Sequence, residues 1–363
     1  MESACPSRRY FSARRSLPPL YHREMAEAWA RAAESAGSLS IADYIIAGKT
    51  FRLLFAGSRL KALLEPALAH LACPPVDKPD LILHAWDESS HPGGVPLPDA
   101  DVLVDYREHH LRFLSDDRFL AFYEEWLGTL SALDVTEGKA YYCCLDSASL
   151  PLYETTAPFR TILGNWLNRF DLQVIHAAAI GGPEGVLLLA GPGGSGKSST
   201  ALLALQNGFS YLSDDLCVVA STPRPFAYSL YNTAKLRADS LSRFPEIAQR
   251  MQRYEECGEE KAIFFLHSEW PEKLLKAAPV HALLIPQVAH QSETHATPSN
   301  WNEALRALAP WSLRQVPGSG KKSVDLMFRF VAQLPAHTLR LGTDPDGILQ
   351  HLQNLLSPEK GGA

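Results

Sequence analysis

The sequence predicts an α/β fold over residues 151–363, preceded by an α+β module at 21–150. Three observations carry this. An apolar run, Val186-Leu187-Leu188-Leu189-Ala190, leads through a glycine-rich turn into a helical pattern, Thr200-Ala201-Leu202-Leu203-Ala204-Leu205. Strand and helix patterns then keep alternating to residue 356. Residues 21–150 mix a hairpin, single strands and helices.

The chain has 363 residues, 46% of them hydrophobic and 20% charged, so it can build two domains with ample core. A net charge of −6 argues against a nucleic-acid partner, which would call for a basic face. No apolar run approaches the ~18 residues that span a bilayer. Cys5, Cys73, Cys143, Cys144, Cys217 and Cys257 form no C-x-x-C pair and no zinc spacing. They read as reduced thiols of a cytoplasmic protein.

In chain order, residues 1–20 carry Arg8, Arg9, Arg14 and Arg15 and read as a disordered basic N-terminus. Tyr21–Ala36 reads as a helix stopped by Gly37, and 42–47 with 50–55 as a hairpin around Gly48-Lys49. Ser58–Leu71 has helical spacing, Leu81–Trp86 reads as a strand, 87–100 as a loop and 102–106 as a strand. Arg118–Leu130 reads as an aromatic-rich helix, Gly138–Asp146 as a strand and Pro158–Leu172 as a helix. The 21–150 module is expected either to recognise a substrate or partner, or to extend the core structurally. Further on, 216–220, 228–231, 262–266, 281–285 and 337–341 read as strands. Helices are expected at 237–243, 301–309, 323–333 and 345–356, and 245–260 reads as charged and irregular.

Gly191-Pro192-Gly193-Gly194-Ser195-Gly196-Lys197-Ser198-Ser199 fits G-x-x-x-x-G-K-S in the strand–turn–helix context that this motif needs. Glycines let successive N–H groups converge on an anion, and the helix N-terminus adds partial positive charge. Gly191, Gly193, Gly194, Ser195, Gly196, Lys197, Ser198 and Ser199 are therefore candidate ATP-binding residues. Lys197 reaches the β- and γ-phosphates and Ser198 sits on Mg²⁺.

Asp214 follows Lys197 by seventeen positions, with Asp215 next. A helix of roughly 16 Å, a stop at Gly208 and a strand at 209–213 running back return both carboxylates to the phosphate end. One acid suits Mg²⁺ and the other suits a proton from an attacking hydroxyl; Asp214 is taken as base and Asp215 as metal ligand, with the roles exchangeable. If 174–180 and 186–190 form a hairpin centred on Pro183, His176 falls opposite Ala190, beside the phosphates. There it contacts phosphate, moves a proton or ligates metal, or is simply a strand-end histidine. Lys235 and Lys261 adjoin apolar runs, and each either neutralises transferred phosphate or keeps its charge in water. Gly318-Ser319-Gly320-Lys321-Lys322-Ser323 imitates a second P-loop without a preceding strand and reads as a mobile loop, a candidate lid.

Ile175-His176, Gly185–Gly191, Ser195–Leu202, Asn207-Gly208-Phe209 and Leu212-Ser213-Asp214-Asp215 together resemble the core of HPr kinase/phosphorylase. That family's fold is similar to phosphoenolpyruvate carboxykinase. The resemblance covers roughly residues 174–220. It implies that 151–363 is an HPr kinase-like P-loop catalytic domain, with Lys197 and Ser198 on phosphate and metal, the aspartate pair as base and metal ligand, and His176 lining the site. The family's Glu-Arg segment with its following glycine-rich stretch is not found, which puts HPr and the reverse reaction in doubt. The whole chain looks more like the serine kinases beside peptide natural-product genes, including lasso-peptide precursor kinases. Ser229–Leu236, Glu260–His267 and Gln315–Gly318 serve that resemblance.

It implies an ATP- and Mg²⁺-dependent kinase acting on a serine of a small protein or ribosomally made precursor peptide. A free small alcohol such as serine is an alternative acceptor, and a non-catalytic nucleotide-binding regulator or adaptor an alternative function. HPr kinases are homo-oligomers, which implies the same here, although no stretch of residues marks an interface.

Overall fold

The computed structural model describes residues 17–98, 110–256, 259–318 and 320–357. The chain is a mixed α/β protein with several sheets, and it divides into two compact units. One comprises residues up to Pro66, Ala72–Arg169 and Val316–Gly318; the other comprises Ala67–Leu71, Phe170–Gln315 and Ser319 onward. The division falls at Arg169/Phe170 rather than at residue 150. No helix among the described residues is long and apolar enough to cross a membrane.

The first unit is built from α1 (Leu17–Ala36), β1 (Leu39–Ile46), β2 (Lys49–Ala56), α2 (Arg59–Leu64), β3 (Ala72–Cys73), β4 (Leu81–Asp87), β5 (Phe119–Glu124), β6 (Thr129–Asp134), β7 (Lys139–Cys144) and α3 (Arg160–Asn168). Its mixed sheet runs β3-β1-β2-β4-β7-β6-β5. Helix α1 starts at Leu17, inside the segment read as disordered, because Leu17, Tyr21, Met25, Ala28 and Ala32 form one buried stripe. The β1–β2 turn is Ala47-Gly48, both at positive φ (50° and 74°), one residue earlier than expected. Pro66 lacks an N–H, and the helical pattern at 58–71 changes at Glu65 from α2 to a 3₁₀ turn over Glu65–Leu71.

The expected helix at 118–130 is instead a hairpin of β5 and β6, joined by a short 3₁₀ turn and Gly128 in the left-handed region (φ 61°). Cross-strand pairing overrides local helix propensity here. Phe119 pairs with Asp134, and Arg118 closes the open end with a 2.7 Å ion pair to Asp134. Ala121, Leu130 and Ala132 then share one core with α1. The strand expected at 102–106 lies outside the described residues. Helix α3 is shorter than expected and belongs to this unit, where Asn165 donates to Pro317 O at 2.9 Å. Val316 is buried, and residues 316–318 belong to this unit; of the segment read as a mobile loop, Gly320–Ser323 are instead the first turn of a helix that runs to Val331.

The second unit is built from β8 (Gln173–His176), β9 (Ala178–Gly182), β10 (Gly185–Leu189), α4 (Lys197–Gln206), β11 (Ser210–Ser213), β12 (Leu216–Ala220), β13 (Phe226–Ser229), β14 (Thr233–Arg237), α5 (Pro245–Ala248), β15 (Gln252–Glu256), β16 (Glu259–Phe265), α6 (Leu266–Glu269), β17 (Ala277–Val288), β18 (His295–Ser299), α7 (Trp301–Gln315), α8 (Gly320–Val331), β19 (Ala336–Leu341) and α9 (Pro345–Leu356). Its large mixed sheet runs β11-β9-β10-β17-β13-β12-β8, with β19 parallel to β17 and β18 beside β19. A small sheet, β14-β16-β15, packs beside it through Ala234, Leu236, Ala262 and Phe264. Helix α5 and strand β15 both fall in the stretch read as irregular, so 245–256 is more regular than its charge content suggested.

Strand β10 reads as a continuous apolar run because both its faces are covered. Leu187 and Leu189 pack with Ala201, Leu202 and Leu205 of α4, whereas Val186 and Leu188 pack with Leu308 of α7 and Phe330 of α8. Helix α7 runs past its expected end, since Pro310 costs one backbone hydrogen bond without ending it.

Leu187 is fully buried, so Leu187→Ala is expected to destabilise the fold by about 2–5 kcal/mol, read as a lower midpoint in urea.

Candidate functional site

Every group of the site comes from the second unit. The glycine turn follows β10, and α4 begins at Lys197 after Gly196, whose φ is +103°. A Cβ on Gly196 would also collide with Leu341 Cδ1, so only glycine fits. A Cβ on Gly193 or Gly194 would meet nothing within 4 Å, so the turn is uncrowded at these two positions. Helix α4 stops as expected, with Gly208 at φ +89° behind it.

Lys197 is buried, 6% exposed, and its ammonium donates to Gly191 O at 2.7 Å and Pro192 O at 3.0 Å. Burial pushes its pKa down, while Asp214 and Asp215 pull it back up. The lysine is thus parked on carbonyls of its own turn, within the field of both acids.

Strand β11 runs antiparallel to β9 and delivers Asp214 and Asp215 to this end of the sheet. Asp214 is 2% exposed. Its Oδ2 accepts the Lys235 backbone N–H at 2.8 Å. Its Oδ1 is buried without a completed hydrogen bond, although the Ser198 hydroxyl stands beside the carboxylate. Burial raises the Asp214 pKa to about 6, against the lowering effect of the Lys235 N–H and Ser198; the charge of Asp215 adds to the rise. Ser195 Oγ is also buried and unpartnered. Orphaned polar atoms are costly in a dry interior, and here there are three, Asp214 Oδ1, Ser195 Oγ and His176 Nδ1, on the acid pair, the glycine turn and the end of β8.

Asp215 is held differently. Its Oδ2 lies 2.7 Å from Lys235 Nζ and its Oδ1 2.9 Å from His176 Nδ1. Burial works against its charge, but Lys235 and His176 more than offset this and hold the carboxyl well below its usual range.

His176 reaches the site by another route than the expected hairpin. The β9–β10 register sets Gly182 against Gly185 and Ala178 against Leu189, one step off the Pro183-centred pairing. The chain then breaks at Ala177, and β8 leaves the hairpin to pair with β12, with His176 opposite Leu216. Ala177 N donates to Asp215 O at 3.1 Å, and His176 N donates to Ser312 Oγ of α7 at 2.9 Å. His176 is therefore a partner of Asp215 before it is a neighbour of the turn.

Lys235 is brought in by β14, which Tyr211 ties to β11 through Tyr211 Oη to Thr233 O at 3.0 Å. Lys261 on β16 lies opposite Arg237, on the same face as Lys235 but two residues along, about 7 Å away. Lys197, Ser198, Asp214, Asp215, His176 and Lys235 converge, and Lys261 stands to one side. The double role of Lys235 left no mark in the sequence, because it depends on the pairing of a separate small sheet.

The described residues contain no group of three or more His, Cys, Asp or Glu side chains arranged for a metal. A P-loop Mg²⁺ needs none, since one or two carboxylates and phosphate oxygens suffice. No protein-family model matches this chain, and no curated protein sequence matches it.

A raised carboxyl pKa makes the folded state bind its proton more tightly than the unfolded chain. The stability of the protein therefore falls as pH rises from the unfolded value near 3.8 through about 6. Asp214→Asn should accordingly stabilise that protein at pH 7, by about 2–3 kcal/mol, with little gain at pH 4. Urea unfolding at the two pH values reads both.

Proposed function

We propose that this chain is an ATP-dependent kinase that transfers the γ-phosphoryl group to a serine hydroxyl of a small protein or ribosomally made precursor peptide. The observation that carries the phosphoryl-transfer half is Asp214 Oδ1, a buried carboxylate oxygen without a completed hydrogen bond, in the field of Lys197 at the start of the helix that follows the glycine turn. The peptide half rests on the resemblance of 229–236, 260–267 and 315–318 to lasso-precursor kinases.

In this reading the backbone N–H groups of Gly191–Ser199 hold the ATP phosphates. Lys197 exchanges the carbonyls of Gly191 and Pro192 for phosphate oxygens, which cost it less desolvation than it already bears. Ser198 and Asp215 hold Mg²⁺, which when bound neutralises charge on the phosphate oxygens. Asp214 Oδ1 accepts the proton of the serine hydroxyl, and the Lys235 N–H on Oδ2 fixes the carboxylate while Oδ1 keeps its lone pairs available. His176 orients Asp215 from the other side. Catalysis is then mainly positioning and charge.

Intact-mass spectrometry after incubation with Mg-ATP and HPr, free serine or a short precursor peptide encoded nearby tests the proposal. A gain of one phosphate on a peptide, lost with Lys197→Ala, is expected. Phosphate on free serine alone would remove the peptide half. Phosphate on none of them, from a protein that binds ATP, would favour a regulator. Asp214→Asn should keep ATP binding but lower turnover by about 10²–10⁴-fold; full turnover would remove Asp214 as base.

A further inference from the structure

Lys235 touches both acids, by two groups of different mobility. Its backbone N–H on Asp214 Oδ2 is fixed by the β14–β16 ladder, which pairs 233–237 with 261–265. Its ammonium on Asp215 Oδ2 ends a flexible stem, and the side chain is 22% exposed. With His176 on Oδ1, both oxygens of Asp215 are covered by groups of the protein itself. A divalent ion takes a carboxylate oxygen by its lone pairs, so an ammonium 2.7 Å away competes for the same place.

We propose that Lys235 is a placeholder cation: it neutralises Asp215 while Mg-ATP is absent, then yields that carboxylate and turns to the transferring phosphoryl group when Mg-ATP enters. This rests on the kinase reading above. Two adjacent acids facing Lys197 alone would gather bare divalent ions from solution. With Lys235 in place, the ion enters together with the phosphates, whose charge both carries it in and receives the displaced ammonium. Lys197 is already occupied by two carbonyls, so the cation on Asp215 is the Lys235 ammonium. It acts on metal entry through Asp215, and Ile263 opposite it on β16 offers no charge to replace it.

The test is a Mn²⁺ titration of the nucleotide-free protein, read by the electron paramagnetic resonance of the free ion. Lys235→Met is expected to bind Mn²⁺ about tenfold more tightly than the wild type, or better, whereas Lys235→Arg stays near the wild type. Equal or weaker binding by Lys235→Met overturns the proposal. A crystal structure of the wild type with Mg²⁺ and a non-hydrolysable ATP analogue gives a second check that needs no variant. Lys235 Nζ should have left Asp215 for the γ-phosphate; an intact pair beside bound metal overturns the proposal. Neither measurement needs an acceptor. Tightened Mn²⁺ binding without phosphate transfer would keep the placeholder and remove the kinase reading.

Discussion

Two neighbouring carboxylates at the end of a sheet, one buried and one half-buried, are costly, and the second unit is arranged around meeting that cost. Asp214 and Asp215 reach the same end as the glycine turn because β11 runs back along β9 after α4. Lys197, Lys235 and His176 then supply cationic or donor groups from three different elements. The compensation is unequal. Asp215 has Lys235 Nζ and His176 Nδ1 within 2.9 Å of its two oxygens, whereas Asp214 Oδ1 has no completed hydrogen bond. That inequality shifts two chemically identical side chains in opposite directions, Asp214 up and Asp215 down.

The sheet enforces the inequality through its connections. The break at Ala177 lets β8 pair with β12, so His176 meets Asp215 and not the turn. Ser312 on α7 holds the His176 backbone, which links the site to the core on that side of the sheet. On the other side, Tyr211 and the β14–β16 ladder hold Lys235. Packing of Leu187 and Leu189 against α4 fixes the turn between them. The packed layers thus set where charge sits.

The turn, α4, β11 and β12 were legible in the sequence to within a residue or so, because each rests on local signals: a glycine at positive φ, a helix start, a doubly buried strand. The acid pair was legible for the same reason. His176 was found, but its partner was not, since a one-step register change and a strand switch are tertiary decisions. Residues 118–130 were misread because Ala, Leu and Glu favour a helix locally, while pairing with β7 and burial against α1 make the segment a hairpin. Lys235 was visible only as a lysine beside apolar residues. Its hold on both acids exists only once β14 and β16 pair.

The most direct test of the central claim, that this turn and acid pair form a Mg-ATP site, is calorimetric titration of the protein with ATP in the presence of Mg²⁺. The account predicts one-to-one binding that is lost in Lys197→Ala and Gly196→Ala and weakened when Mg²⁺ is withheld. An absence of binding, or binding that both substitutions leave unchanged, would contradict it.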